Sequence, residues 1–157
     1  MGWPSRRVSV AVSLAPQRLW PYLTDIQLPA RFSEEFQRAE WLVGSSPAVG
    51  AVFLGYNENP SIGTWQTKST ITAVREPEVF EWTVGDVDSF VARWRFEVGD
   101  GEFAQTVELG PGKSPLRDYI ERFPERREAI LESRLRTFEP NMLRTVNGII
   151  AMAQETA

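Results

Sequence analysis

Residues 125–153 read ERREAILESRLRTFEPNMLRTVNGIIAMA. Leu131, Leu135, Phe138, Met142, Val146, Ile149 and Ala153 recur there at steps of three and four, so a period of 3.6 residues returns them to one face. The spacing predicts a single long amphipathic helix. Its other side carries Ser133, Arg136, Arg144, Asn147 and Gln154, a water-facing set. At ~1.5 Å per residue the helix runs roughly 40 Å, longer than the core of a small domain is wide. Its apolar side therefore needs a broad, concave receiver. Pro140 falls opposite the stripe, where proline favours a bend convex toward solvent.

The preceding residues are patterned to form such a receiver. Val8, Val10, Val12 and Leu14 alternate with Ser9, Ala11 and Ser13, the period-two signature of a strand with one buried face. Ala15-Pro16 opens a short helix carrying Leu19, Trp20, Leu23 and Ile26, with Pro21 shortening or kinking it. A second short helix is expected over Leu28 to Phe36, where Leu28, Phe32 and Phe36 are spaced by four.

Strand patterning then continues to Leu109. Expected strands are Ala39 to Val43, Ala51 to Tyr56, Trp65 to Val74, Val79 to Val84, Phe90 to Val98 and Phe103 to Leu109. Gly44 to Gly50, Asn57 to Gly63, Glu76-Pro77, Gly85 to Asp88 and Gly99-Asp100-Gly101 separate them as turns. Short turns between consecutive strands predict an antiparallel meander. Ser114-Pro115 then reads as a helix cap followed by proline at the first helical position.

Composition narrows the chemistry. The 157 residues include six Trp and nine Phe but no Cys and no His. Disulfides, zinc sites built from Cys and His, thiol catalysis and imidazole mechanisms are excluded. No metal and no cofactor is expected. A net charge of −4 argues against nucleic acid or an anionic membrane as the main partner, since both select cationic surfaces. No stretch approaches the ~20 apolar residues of a membrane span. The alternating octet after Arg6-Arg7 is strand patterning rather than an export signal, so a cytoplasmic protein is expected, with residues 1–157 as one domain.

Several local motifs occur in a consistent order. They are Ala15-Pro16-Gln17-Arg18-Leu19-Trp20 with Asp25, Trp41-Leu42-Val43-Gly44, and Gly50 to Asn57. Trp65 with Thr67, Glu76-Pro77 before Phe80-Glu81-Trp82, and Trp94-Arg95-Phe96 complete the set. Together they resemble the START-like superfamily of the birch-pollen allergens and lipid-transfer proteins, also called SRPBCC, and within it the polyketide cyclase/dehydrase branch. The resemblance implies an α+β helix-grip fold: a curved seven-stranded antiparallel sheet wrapped around the long C-terminal helix, with two short helices after the first strand. It also implies a deep pocket for hydrophobic molecules.

With the more apolar face of each strand taken as inward, the interior receives Trp65, Thr67, Ser69, Ile71, Phe80, Trp82, Trp94, Phe96, Phe103 and Gln105, facing Phe138 and Met142, and Ala73 falls on the same face of its strand as Trp65. Of these, Trp65, Thr67, Ser69, Phe80, Trp82, Trp94, Phe96, Gln105, Phe138 and Met142 are the expected ligand-binding residues. Tyr56 joins them, although its parity is opposite to that of Phe53. For a catalytic role the candidates are Tyr56, Thr67 and Gln105. Glu81, Arg93, Arg95, Glu97 and Glu108 fall on the outer face, and the alternation puts no carboxylate or lysine inside.

Three functions fit this reading. The first is binding of a hydrophobic molecule, aromatic or polyketide- or lipid-like, for sequestration or transport. The second is a cyclase, aromatase or dehydratase acting on a poly-ketone, working through positioning and hydrogen bonds. The third is a protein-interaction module. A monomer and a homodimer are equally compatible with the sequence.

Overall fold

The computed structural model describes residues 3–155. Seven strands form one antiparallel sheet in the order β1-β7-β6-β5-β4-β3-β2. They are β1 (Ser5–Ala11), β2 (Phe36–Val43), β3 (Val52–Asn59), β4 (Gly63–Arg75), β5 (Val79–Asp86), β6 (Ser89–Gly99) and β7 (Glu102–Leu109). From β2 to β7 each strand pairs with the next in sequence, while β1 closes against β7. Helix α1 (Pro16–Leu23) and a 3-10 turn at Leu28–Arg31 follow β1. Helix α2 (Pro115–Arg122), a 3-10 turn at Pro124–Arg126 and helix α3 (Arg127–Glu155) complete the chain.

The turns follow their local chemistry. Between β6 and β7, Asp100 and Gly101 both take positive φ, at 54° and 75°, the geometry of a two-residue hairpin turn whose twist matches the flanking strands. Ser114 Oγ accepts the Arg117 backbone N–H at 3.1 Å and caps α2, with Pro115 at the first helical position.

The helix expected over Leu28 to Phe36 is only partly formed, ending at Arg31. Ser33 Oγ accepts the backbone N–H groups of Glu35 (3.1 Å) and Phe36 (3.0 Å), replacing the donors' helical partners and turning the chain. Phe36 therefore opens β2 instead of closing a helix. Tertiary pairing with Asn57 outweighs the four-residue spacing.

Ala73 is also corrected. The pairs Ile71–Trp82 and Ala73–Glu81 leave Thr72 out of the backbone register, which makes a bulge and reverses the parity beyond it. Val74, opposite buried Phe80, takes the inward place, and Ala73 shares the outer face with Glu81. Further register shifts lie between Phe36 and Arg38, Trp41 and Val43, and Val84 and Gly85. Bulges bend and twist their strands, and such bends let a sheet wrap a helix.

All seven stripe residues of α3, Leu131 to Ala153, are buried, and Val146, Ile149 and Ala153 have no exposure. They join Leu19, Leu23, Phe96, Phe103 and Val107 in one continuous core. Full burial of such a side chain contributes about 1.5–3 kcal/mol, so the stripe is the main attachment of α3. The helix runs unbroken through Pro140, which is exposed. On the outer face of the sheet, Glu81 lies 3.7 Å from both Arg93 and Arg95, and Arg93 also approaches Glu108 at 3.4 Å.

Candidate functional site

A sheet that curves away from a helix leaves space between them. Here it is an apolar-walled cavity of ≈ 170 Å³ bounded by β2 to β7, α3, the segment after α1 and the start of α2. The sheet contributes Trp65, Thr67 and Ser69 from β4, Phe80 and Trp82 from β5, Trp94 from β6 and Gln105 from β7. From α3 come Arg134, Phe138, Asn141, Met142 and Thr145. Asp25, Ile62 of the β3–β4 hairpin and Pro115 also line it and are themselves exposed, so the cavity reaches the surface.

Aromatic rings form most of the wall. Trp82 and Trp94 lie on adjacent strands and stack at 6.3 Å between centroids with planes 14° apart. Phe138 meets Trp94 edge to face at 5.0 Å. Helix and sheet thus touch at this point, yet all three rings still border open space. Trp65, Trp82 and Trp94 keep intermediate exposure although their strands turn them inward, whereas Phe80 and Phe96 are fully packed. The Trp rings keep part of their surface open, while Phe96 fills the layer behind the wall.

Polar groups are few and differ in kind. Glu35 and Arg134 form a two-pronged ion pair, Nη1 to Oε2 at 2.8 Å and Nη2 to Oε1 at 2.5 Å. Asn59 Nδ2 donates to Glu35 Oε2 at 3.0 Å, and the Arg134 guanidinium lies 4.2 Å from the Phe138 ring centroid. Both side chains are nearly buried, at 11% and 14% exposure. Asn57 Nδ2 donates to Thr67 Oγ1 at 3.3 Å, and Thr145 Oγ1 donates to its own helix at Asn141 O. Gln105 is only 4% exposed, and among the described residues its Oε1 has no hydrogen-bond partner.

Of the residues expected to bind ligand, Trp65, Thr67, Ser69, Phe80, Trp82, Trp94, Gln105, Phe138 and Met142 are brought together on this wall. Phe96 is not. It lies fully buried between Trp82 and Phe103, at centroid distances of 5.7 and 5.5 Å. Tyr56 is turned to the outer face, where its hydroxyl donates to Glu40 and its ring lies 3.6 Å from the Arg38 guanidinium carbon. Phe53 and Gly55 take the inward positions of β3, and alternation sends Tyr56 the other way.

Sequence reasoning missed Glu35 and Arg134: strand alternation puts no carboxylate inside, and Glu35 reaches the wall from outside the strands. Glu35 sits between the 3-10 turn and β2, beyond the reach of strand parity. Arg134 leaves no hydrophobic signal of its own. Positions 134, 138, 141 and 145 are spaced four, three and four, a second stripe on α3 beside the purely apolar one.

Residues 5–137 match the family model described as polyketide cyclase/dehydrase and lipid transport. The chain belongs to this family. Among curated proteins, none matches it. Solved structures that resemble this family member include the polyketide-cyclase-like protein Cgl2372 of Corynebacterium glutamicum. That protein shares 20% identity at a TM-score of 0.65, covering 97% of this chain and 92% of its own. Major latex-like protein 151 of Panax ginseng shares 12%, with a TM-score of 0.52 and coverage of 83% and 95%. Ara h 8.0201 shares 16%, with a TM-score of 0.54 and coverage of 96% and 99%. At these identities the likeness concerns the fold, which is the helix-grip fold.

Proposed function

We propose that this family member binds a hydrophobic small molecule, with an aromatic or polyketide- or lipid-like body, in the cavity between sheet and α3. The observation that carries the reading is the wall itself. Trp65, Trp82, Trp94 and Phe138 are turned toward a void that their own packing leaves unfilled. Large aromatic walls with a few fixed polar groups are the usual make-up of a small-molecule site. The family's description, which joins cyclases and dehydrases to lipid transport, supports the same substrate class. The protein acts as a cytoplasmic carrier or presenter of its ligand, as one domain of residues 1–157.

The test is a titration with an apolar naphthalene probe, read by Trp emission and by calorimetry. Saturable binding is expected in the wild type. Ser69→Phe, which pushes a ring into the cavity from a position only 1% exposed, is expected to abolish it while the far-ultraviolet spectrum is unchanged. A wild type that binds no probe, or a folded Ser69→Phe protein that binds as well as the wild type, contradicts the reading.

A second reading, cyclase or dehydratase chemistry on a poly-ketone, is favoured by one feature. The Glu35–Arg134 pair puts a carboxylate and a guanidinium at the wall of an apolar site, where they can polarise a carbonyl. Turnover of a model poly-ketone that is lost in Arg134→Met and Thr67→Val supports it. Binding without turnover leaves the carrier role.

A further inference from the structure

Asn141 carries a hydrogen-bond donor that the fold leaves unused. Its Oδ1 accepts the Glu34 backbone N–H at 3.3 Å and an Arg144 Nη2–H. Two donors meeting on one atom fix which end of the amide is the oxygen, so Nδ2 is the end left over. Among the described residues Nδ2 has no partner, and it is not sealed off. The unpaired side-chain polar atoms that are closed to solvent there are Arg6 Nε, Gln105 Oε1 and Arg117 Nε. Asn141 itself keeps intermediate exposure and lines the cavity.

The helix sets the direction of that nitrogen. At about 100° per residue, Arg144 lies about 60° to one side of Asn141 on α3, while Arg134, Thr145, Phe138 and Met142 lie about 20–100° to the other. The second group borders the cavity. Arg144 is exposed and ties down the segment before β2, through Phe32 O at 3.0 Å and Glu34 at 3.8 Å. The amide oxygen is drawn to that side. The nitrogen, across the amide carbon from it, is turned toward the cavity stripe.

We infer that Asn141 Nδ2 is a specificity-determining donor of the cavity, and that the ligand's flat apolar body carries a neutral carbonyl acceptor, of ketone, ester or lactone type, on the edge facing α3. This deepens the binding function proposed above and rests on it. Solvent serves the donor while the cavity is open. A ligand that fills the space displaces that solvent, and it must bring an acceptor or leave the N–H unpaired. A hydrocarbon edge therefore loses affinity. A carboxylate is selected against as well, because Arg134 and Arg144 each already face a glutamate and an anion there would be buried without its own countercharge.

The experiment compares 2-acetylnaphthalene with 2-isopropenylnaphthalene, which share a shape and differ in whether the side group accepts a hydrogen bond. Dissociation constants are measured calorimetrically at neutral pH for the wild type, Asn141→Asp and Asn141→Leu. Asn141→Asp keeps an acceptor for the Glu34 N–H and Arg144 and removes only the donor; Asn141→Leu removes the whole amide. The ratio of the two constants is compared between proteins, which cancels the unequal hydration of the probes. In both variants the affinity for the ketone relative to the alkene is expected to fall about tenfold from the wild-type ratio, the equivalent of one hydrogen bond at about 1.4 kcal/mol. The alkene is expected to bind Asn141→Leu at least as tightly as the wild type. A ratio unchanged in either variant that folds overturns the inference while leaving the binding function standing, since the carbonyl is then read elsewhere. If neither compound binds the wild type, the binding function fails and takes this inference with it.

Discussion

At the scale of single residues, the Glu35–Arg134 pair joins the segment after α1 to α3 at the cavity wall. Two charges held at 11% and 14% exposure are stable only together, because removing one leaves the other buried and uncompensated. Arg134→Met is expected to destabilise the protein by roughly 3–5 kcal/mol, with Glu35→Gln in the same background restoring a good part. Urea denaturation of the single and double variants checks this. A loss below about 1 kcal/mol in the single variant would class the pair with exposed salt bridges. Neither residue was legible as a cavity group in the sequence. Parity rules describe strands, and Glu35 lies just before one. Tyr56 shows the converse. Its aromatic character suggested a place inside, but alternation with Phe53 fixed it outside. Gln105 was legible because β7 alternates without a bulge.

At the scale of elements, α3 performs two tasks on adjoining stripes. Val146, Ile149 and Ala153 pack into the core near α1, while positions 134, 138, 141 and 145 border the cavity. Ile149→Ala is accordingly expected to cost about 2–5 kcal/mol, and Met142→Leu, a volume-conserving change at the cavity wall, under about 1.5 kcal/mol. Thermal and chemical denaturation of the two variants measure the contrast. The apolar stripe was readable because a helix this long repeats its pattern many times. The cavity stripe was not, because a mixture of Arg, Phe, Asn and Thr has no hydrophobic period. Strand faces were similarly readable up to the point where Thr72 interrupts β4.

The exit from the sheet is another tight element. A methyl group at Gly110 would lie 2.3 Å from the Phe90 carbonyl oxygen. Backbone cannot yield as a side chain tip does. Gly110→Ala is expected to destabilise by about 1–3 kcal/mol and to lower the melting temperature. An unchanged melting temperature would mean that the β6–β7 end of the sheet adjusts more freely than its hydrogen bonds, Gly110 N to Val91 O and Gly112 N to Phe90 O, suggest.

At the scale of the whole molecule, the order of elements determines where space is left. A sheet of seven strands, bent at its bulges, meets a helix of 29 residues that touches it along one stripe and stands off along the next. This arrangement was the most legible part of the sequence, since it needs only periods, turns and their order. The void was less so. Whether sheet and helix pack flush depends on ring orientations such as those of Trp94 and Phe138, which no pattern of residue types specifies. The chain carries a net charge of −4, and the apolar cavity is the most distinctive chemical feature among the described residues.

The six tryptophans offer a direct reading of that claim. Trp65, Trp82 and Trp94 line the cavity, while Trp3, packed against Phe90, and Trp20, packed against the cavity residue Phe80, are not among its lining residues. Indole N–H resonances followed by nuclear magnetic resonance during a 2-naphthol titration report each ring separately. The largest shifts are expected at Trp65, Trp82 and Trp94 and the smallest at Trp3. Shifts concentrated at Trp3 or Trp20, or none at any indole under saturating probe, would contradict a ligand site between sheet and helix.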